Sequence, residues 1–229
     1  ARILNLPAKF GNIAKAQVVR LDNVSGLKIY TLSYNQQRQL VQTPLLAINN
    51  LRMYLEQFRM INDSLDFGFA TADSDGNVTG NFSGYFINFG VYFQVNADRR
   101  FNPTDVKLEV IDVIRDYFLI DKMHFGQPIN LNNLKYEILG LDGVIAIPTL
   151  KITQNFGNQS PTPEFTGTTR RLCNLNASGG TISDGTSGYG FVYDFDTALS
   201  EEADVIKPSI TPSVFELRNP NTDIYGRVI

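Results

Sequence analysis

Apolar and polar side chains alternate over residues 12–21, with Ile13, Lys15, Gln17, Val19 and Leu21 on one face and Ala14, Ala16, Val18 and Arg20 on the other. A period of two is the signature of a strand. The glycine-containing turn from Asp22 to Gly26 leads into a second alternating run, Leu27 to Leu32, so the first thirty residues predict a hairpin. At Thr43-Pro44 the pattern changes. Threonine at the N-cap followed by proline at the first helical position predicts a helix start. Ala47, Leu51, Tyr54, Leu55, Phe58 and Ile61 then recur at three- and four-residue spacing. They predict one apolar stripe over about four to five turns, with Arg52, Glu56 and Arg59 on the opposite face.

The run from Tyr85 to Val95 is almost wholly apolar, which predicts a central strand buried on both faces. Asn102-Pro103-Thr104-Asp105 repeats the capping pattern, and Val106, Val110, Val113, Ile114 and Tyr117 form the stripe of a second helix. A third, short helix fits Leu131 to Leu139, capped by Asn130 and stopped by Gly140. Val144 to Ile152 reads as a strand in which Pro148 marks an edge or a bulge. These elements predict an α+β fold with mixed strands, two main amphipathic helices and one short helix. Residues 1–152 form the expected core, with 1–62 and 63–152 as candidate subdomains. From 153 to 190 Gly, Ser, Thr, Asn and Pro dominate and no period survives, which predicts a long loop or insertion. The remainder, 191–229, has short apolar runs separated by Pro208, Pro212 and Pro220, expected to wrap the core as short strands.

Composition narrows the function classes. A chain of 229 residues with 43% hydrophobic and 19% charged residues can bury a core and should fold. Its single cysteine, Cys173, can form no internal bridge, which favours an intracellular origin. The net charge of −3 offers no global positive field for nucleic acid or an anionic membrane, and no apolar run approaches the ~18 residues of a membrane span. Neither nucleic acid nor membrane insertion is therefore expected.

Candidate chemistry is sparse. The one histidine, His124, sits between Met123 and Phe125 and reads as a packing or surface residue; no nucleophile motif accompanies it. One His and one Cys far apart do not supply a zinc site. Asp73-Ser74-Asp75-Gly76-Asn77 opens like a calcium loop, but glycine falls fourth, and Gly84 stands where a twelfth-position glutamate belongs. A hairpin turn is the better reading. No glycine-rich phosphate loop occurs. The Asn-x-Ser/Thr triplets at Asn77, Asn81 and Asn176 follow from abundant Asn, Ser and Thr. No catalytic residue, metal or cofactor is expected, and the chain reads as a non-enzyme.

Three stretches, taken in order and spacing, resemble the C-terminal region of the baseplate wedge proteins of T4-like myophages, relatives of the baseplate J-like family. They are Phe10 to Ala16, Asn50 to Met60, and Phe125 to Ile129 followed by Leu141 to Val144. The similarity spans roughly residues 7–152 and resumes at 215–226. It implies a structural component of a contractile-tail phage virion, assembled in the host cytoplasm, that binds itself and neighbouring wedge and tail hub proteins without catalysis. Members of that family are much longer, so the likeness is to their C-terminal part. An alternative reading is a receptor- or glycan-binding module on the virion, with Phe156, Phe165 and Tyr189 of the long loop as contact residues. A cell-wall hydrolase, suggested only by scattered carboxylates, is the weakest reading, and the absence of Trp counts against a sugar cleft.

Overall fold

The structure, a computed structural model, describes residues 3–4, 6–7, 10–20, 26–58, 64–67, 70–72, 78–80, 84–153, 195–200, 204–208 and 212–229. The fold is mixed α+β, as the periodicities predict. It divides into two compact units, Ala1–Phe86 with Ile210–Ser213, and Ile87–Ser209 with Val214–Ile229.

In the first unit β1 (Lys15–Arg20) and β2 (Gly26–Tyr34) form the expected hairpin, antiparallel from Lys15 opposite Leu32 to Arg20 opposite Leu27. β2 also pairs with β3 (Leu40–Gln42) after a turn in which the Asn35 carboxamide oxygen accepts from the Gln37 and Gln39 amides. The helix α1 (Leu45–Glu56) follows; then β4 (Ser64–Asp66) runs parallel to the start of β2. β5 (Ala70–Ala72) and β6 (Val78–Gly80) pair antiparallel across the Asp-Gly segment, as a hairpin turn requires. The calcium-like residues 73–77 themselves lie outside the described residues.

Burial of Ala47, Ile48, Leu51 and Leu55 seats α1 on Leu6, Ile13, Ile29 and Phe67. A wholly buried leucine such as Leu51 contributes about 2 kcal/mol by its transfer from water alone. The chain before β1 lies hard against the same helix. Gly11, at φ +131°, leaves no room for a Cβ, which would stand 2.6 Å from Ala47 Cβ, and the Asn50 side chain donates to the Phe10 carbonyl at 2.9 Å. Glycine is required at position 11 on both counts.

Two details of α1 differ from expectation. Thr43 is not its N-cap: Pro44 holds that position without a side-chain bond, because the buried Thr43 hydroxyl accepts from Ser33 Oγ at 3.2 Å. The described helix also stops at Glu56, where Gln57 caps it and the Phe58 amide turns back to the Leu55 carbonyl. Arg52, expected on the solvent face, lays its guanidinium over the Phe67 ring at 5.4 Å.

The run from Tyr85 to Val95 is buried on both faces but is two strands, β7 (Tyr85–Asn88) and β8 (Gly90–Ala97). The break at Phe89 is a change of partner. β7 pairs with β13 (Ser213–Glu216), whereas β8 is the centre of a three-stranded sheet. The second unit is built on that sheet. After β8 come α2 (Pro103–Tyr117), β9 (Ile129–Asn130), α3 (Leu131–Leu139) and β10 (Val144–Thr153), and beyond the long segment α4 (Phe195–Ala198), β11 (Leu199–Ser200) and β12 (Val205–Ile206). β13 leads through α5 (Pro220–Asp223) to β14 (Ile224–Val228).

β8 is flanked by β10, antiparallel, and by β14, parallel, so the tail supplies one edge strand of this sheet. The β10–β8 register slips between Val144 and Thr149, around Pro148, as an edge strand with a missing donor should. α2 packs beside β14 and α3 beside β10, burying Val106, Val110, Ile114, Leu134 and Ile138 together with Val91, Phe93 and Val95. Phe89, Phe118, Phe195 and Phe215 form an aromatic cluster, with the Phe89 and Phe118 centroids 4.9 Å apart at 70°. The two caps predicted in this unit form: the Asn102 carboxamide oxygen accepts from the Thr104 amide and that of Asn130 from the Asn133 amide.

Candidate functional site

Phe156, Phe165 and Tyr189, the contact residues proposed from sequence, lie outside the described residues, as do Cys173 and the whole of 154–194. His124 is exposed, and its backbone amide donates to Gln127 Oε1 at 3.0 Å. Among the described residues no group of three or more His, Cys, Asp or Glu could hold a metal ion, and no helix is long and apolar enough to cross a membrane.

One cleft, of about 260 Å³, opens in the second unit between the end of α2 and α3. Asp116, Tyr117, Lys122, Gln127 and Glu137 supply its polar wall, and Met123, Pro128 and Ile129 its apolar one. Its polar groups serve the local fold. Lys122 Nζ reaches both the Asp116 carboxylate, at 2.7 Å, and its carbonyl, at 2.9 Å, which closes the last turn of α2 with a cation as the helix dipole favours. The Tyr117 hydroxyl donates to the Asn130 carbonyl at 3.1 Å. Burial first, and the negative charge of Glu137 second, raise the Tyr117 phenol above its ordinary value of 10.0. A phenol so raised stays protonated at neutral pH. With Asp116 neutralised by Lys122, the cleft offers a donor and one carboxylate, not a nucleophile beside a base. Elsewhere the hydrogen bond from Arg100 holds the half-buried Asp98 carboxyl below its usual value, a local turn contact.

Chemistry on this surface lies instead in what the helices leave uncovered. On α1, Leu46 and Met53 are 73% and 67% exposed and stand two turns apart on one side of the helix, while its other side is buried. On α3, Tyr136 is 80% and Leu139 46% exposed at a spacing of three, opposite the buried Leu131, Leu134 and Ile138. Each helix is thus apolar on two sides, the pattern of a helix that covers its own core and offers a second face. From sequence only the buried stripe of α1 and the span and caps of α3 were legible, because an apolar position outside the stripe carries no period of its own.

Asp204 joins the returning chain to α3. It holds a left-handed backbone at φ +49°, its carbonyl accepts from the Leu131 amide, and its carboxylate meets Lys135 Nζ at 2.7 Å. No protein-family model matches the chain, and no curated protein matches it.

Proposed function

We propose that this chain is a structural component of a contractile-tail phage baseplate wedge that associates with itself and with neighbouring wedge and tail hub proteins, without catalysis. The observation that carries the assembly role is the pair of exposed apolar helix faces, Leu46 with Met53 and Tyr136 with Leu139. Such faces gain roughly 25 cal/mol for each Å² of apolar surface they lose to a partner. The identity of the assembly rests on the ordered resemblance of three stretches, and packing supports treating the first two as one piece. Gly11 and Phe10 of the first touch α1, whose Asn50 to Glu56 belong to the second, through Ala47 and Asn50.

Light scattering across a concentration series, alone and with purified wedge and hub proteins, tests the proposal. The expected result is concentration-dependent mass or stable co-elution, weakened at least about tenfold by Leu46→Asp with Met53→Asp or by Tyr136→Asp with Leu139→Asp. All four side chains are exposed, so the variants should keep their fold. A strict monomer that co-elutes with no baseplate protein overturns the reading.

A further inference from the structure

The sheet of the second unit has a second face. Phe93 and Gly226 share one side of the sheet, since the Phe93 ring fills the space a Cβ at Gly226 would occupy. Their neighbours along the strands must point the other way. The register then fixes two rows across the three strands. Lys151, Tyr92 and Tyr225 stand side by side on β10, β8 and β14, and Thr149, Gln94 and Arg227 form the next row.

The rows are built, not merely adjacent. The Tyr92 and Tyr225 rings stack at 6.1 Å with 23° between their planes, and Lys107 Nζ, from α2, stands 5.9 Å from the Tyr225 centroid. With the Gln94 amide turned so that its oxygen faces Arg227, it accepts from Arg227 Nη2 at 2.7 Å and Nε at 3.0 Å and from the Tyr92 hydroxyl at 2.7 Å. The Thr149 hydroxyl closes the row 3.5 Å from the other end of that amide. Lys107, Lys151 and Arg227 make no ion pair among the described residues, and neither row contains a carboxylate. Lys151 and Arg227 are exposed, as is Tyr225 at 49%. In a chain of net charge −3 this is a local positive field around an aromatic platform.

We propose that this face docks an acidic segment of a partner polypeptide, which crosses the strands with carboxylates on Lys107, Lys151 and Arg227 and an apolar or ring side chain on Tyr225. The proposal rests on the assembly reading and adds the chemistry of one partner. Charge complementarity selects the occupant: three cations that make no ion pair among the described residues suit a short run of Asp or Glu, and tyrosine and arginine are the residues that anchor protein interfaces. A nucleic-acid strand is disfavoured, because its affinity comes from many neutralised phosphates while the whole chain carries net negative charge.

The test is a titration of the isotope-labelled chain, followed by amide shifts, with a short Glu/Phe peptide, its Gln/Phe counterpart and a single-stranded DNA oligomer. The expected result is shifts centred on Tyr225, Arg227 and Lys151 with the Glu/Phe peptide. Affinity should fall about tenfold or more with the Gln/Phe peptide, with added salt, and in Lys151→Glu with Arg227→Glu. Tyr225→Ala should weaken binding at unchanged salt dependence, a result that mere charge attraction does not give. Absence of shifts, shifts elsewhere, equal binding of the uncharged peptide, or tighter binding of the oligomer overturns the proposal. Light scattering on the same sample separates the two failures: a chain that assembles yet ignores the acidic peptide refutes only this use of the sheet face.

Discussion

Gly226 is a position where even a methyl group has no room. A Cβ there would lie 2.5–2.6 Å from three atoms of the Phe93 ring, and Phe93 is wholly buried in the middle strand. Alanine in a strand ordinarily gains about 0.5–1 kcal/mol over glycine, so overpacking must first cancel that gain. We expect Gly226→Ala to lower stability by about 1–3 kcal/mol, read as a lower urea midpoint at unchanged slope. Phe93→Leu should recover part of the loss when combined with it, and simple addition of the two costs would refute the contact. Tyr117 gives a pH-dependent counterpart. Its folded phenol is raised, by burial and then by Glu137, so the unfolded tyrosine ionises first. Its contribution is complete below the ordinary value of 10.0 and is lost as pH rises from there through the folded value. Stability should therefore decline in alkali above that point, and Glu137→Gln should lower the Tyr117 midpoint seen by tyrosinate absorbance. An unchanged midpoint would show that the carboxylate does not face the phenol.

At the scale of elements, α2 and α1 show what a cap pattern can and cannot announce. Both begin with a polar residue followed by proline, but only Asn102 caps, accepting from the Thr104 amide at 3.1 Å. Asn102→Ala should cost about 1 kcal/mol, and Asn102→Asp should cost less because it keeps the acceptor and adds charge at the positive end of the helix. Thermal unfolding of both variants checks the order. Thr43 gave no warning, since its partner Ser33 lies across a turn on another strand, and pairings of that kind leave no mark on local sequence. The same reason explains the rest of the record. α2, α3 with its Asn130 cap and Gly140 stop, and the β1–β2 hairpin were legible because a period and a cap are local. The break at Phe89 was hidden inside a continuous apolar run, since it marks an exchange of the β13 ladder for those of β10 and β14. β14 escaped notice because five residues after a proline turn carry too little pattern, and its place beside β8 depends on residues more than a hundred positions away. The Lys151–Tyr92–Tyr225 row was invisible for the same reason, since three strands contribute one residue each.

For the molecule as a whole, the long segment can be separated from the fold that carries it. Thr153, the last described residue before 154–194, pairs with Gly90 at the start of β8, and Phe195, the first described residue after it, places its ring 6.2 Å from that of Phe89. Residues 89 and 90 are neighbours, so the described chain on either side of 154–194 meets at one end of one strand. Ends so close need little chain to join them: eight residues span up to about 26 Å. Closing roughly forty residues costs about 1–2 kcal/mol more than closing eight, which the shorter loop would recover. Replacement of 154–194 by an eight-residue Gly/Ser linker should therefore leave the second unit folded, with its thermal midpoint unchanged or slightly raised. Loss of cooperative unfolding would mean that the segment contributes to the core. The same variant decides between the two binding readings, because Phe156, Phe165 and Tyr189 leave with the segment while Leu46, Met53, Tyr136 and Leu139 stay. An assembly module keeps its concentration-dependent mass and its baseplate partners after the replacement. A receptor-binding module keeps its fold but loses attachment to host cells or to a glycan array, and that outcome would move the function from α1 and α3 to the segment between Thr153 and Phe195.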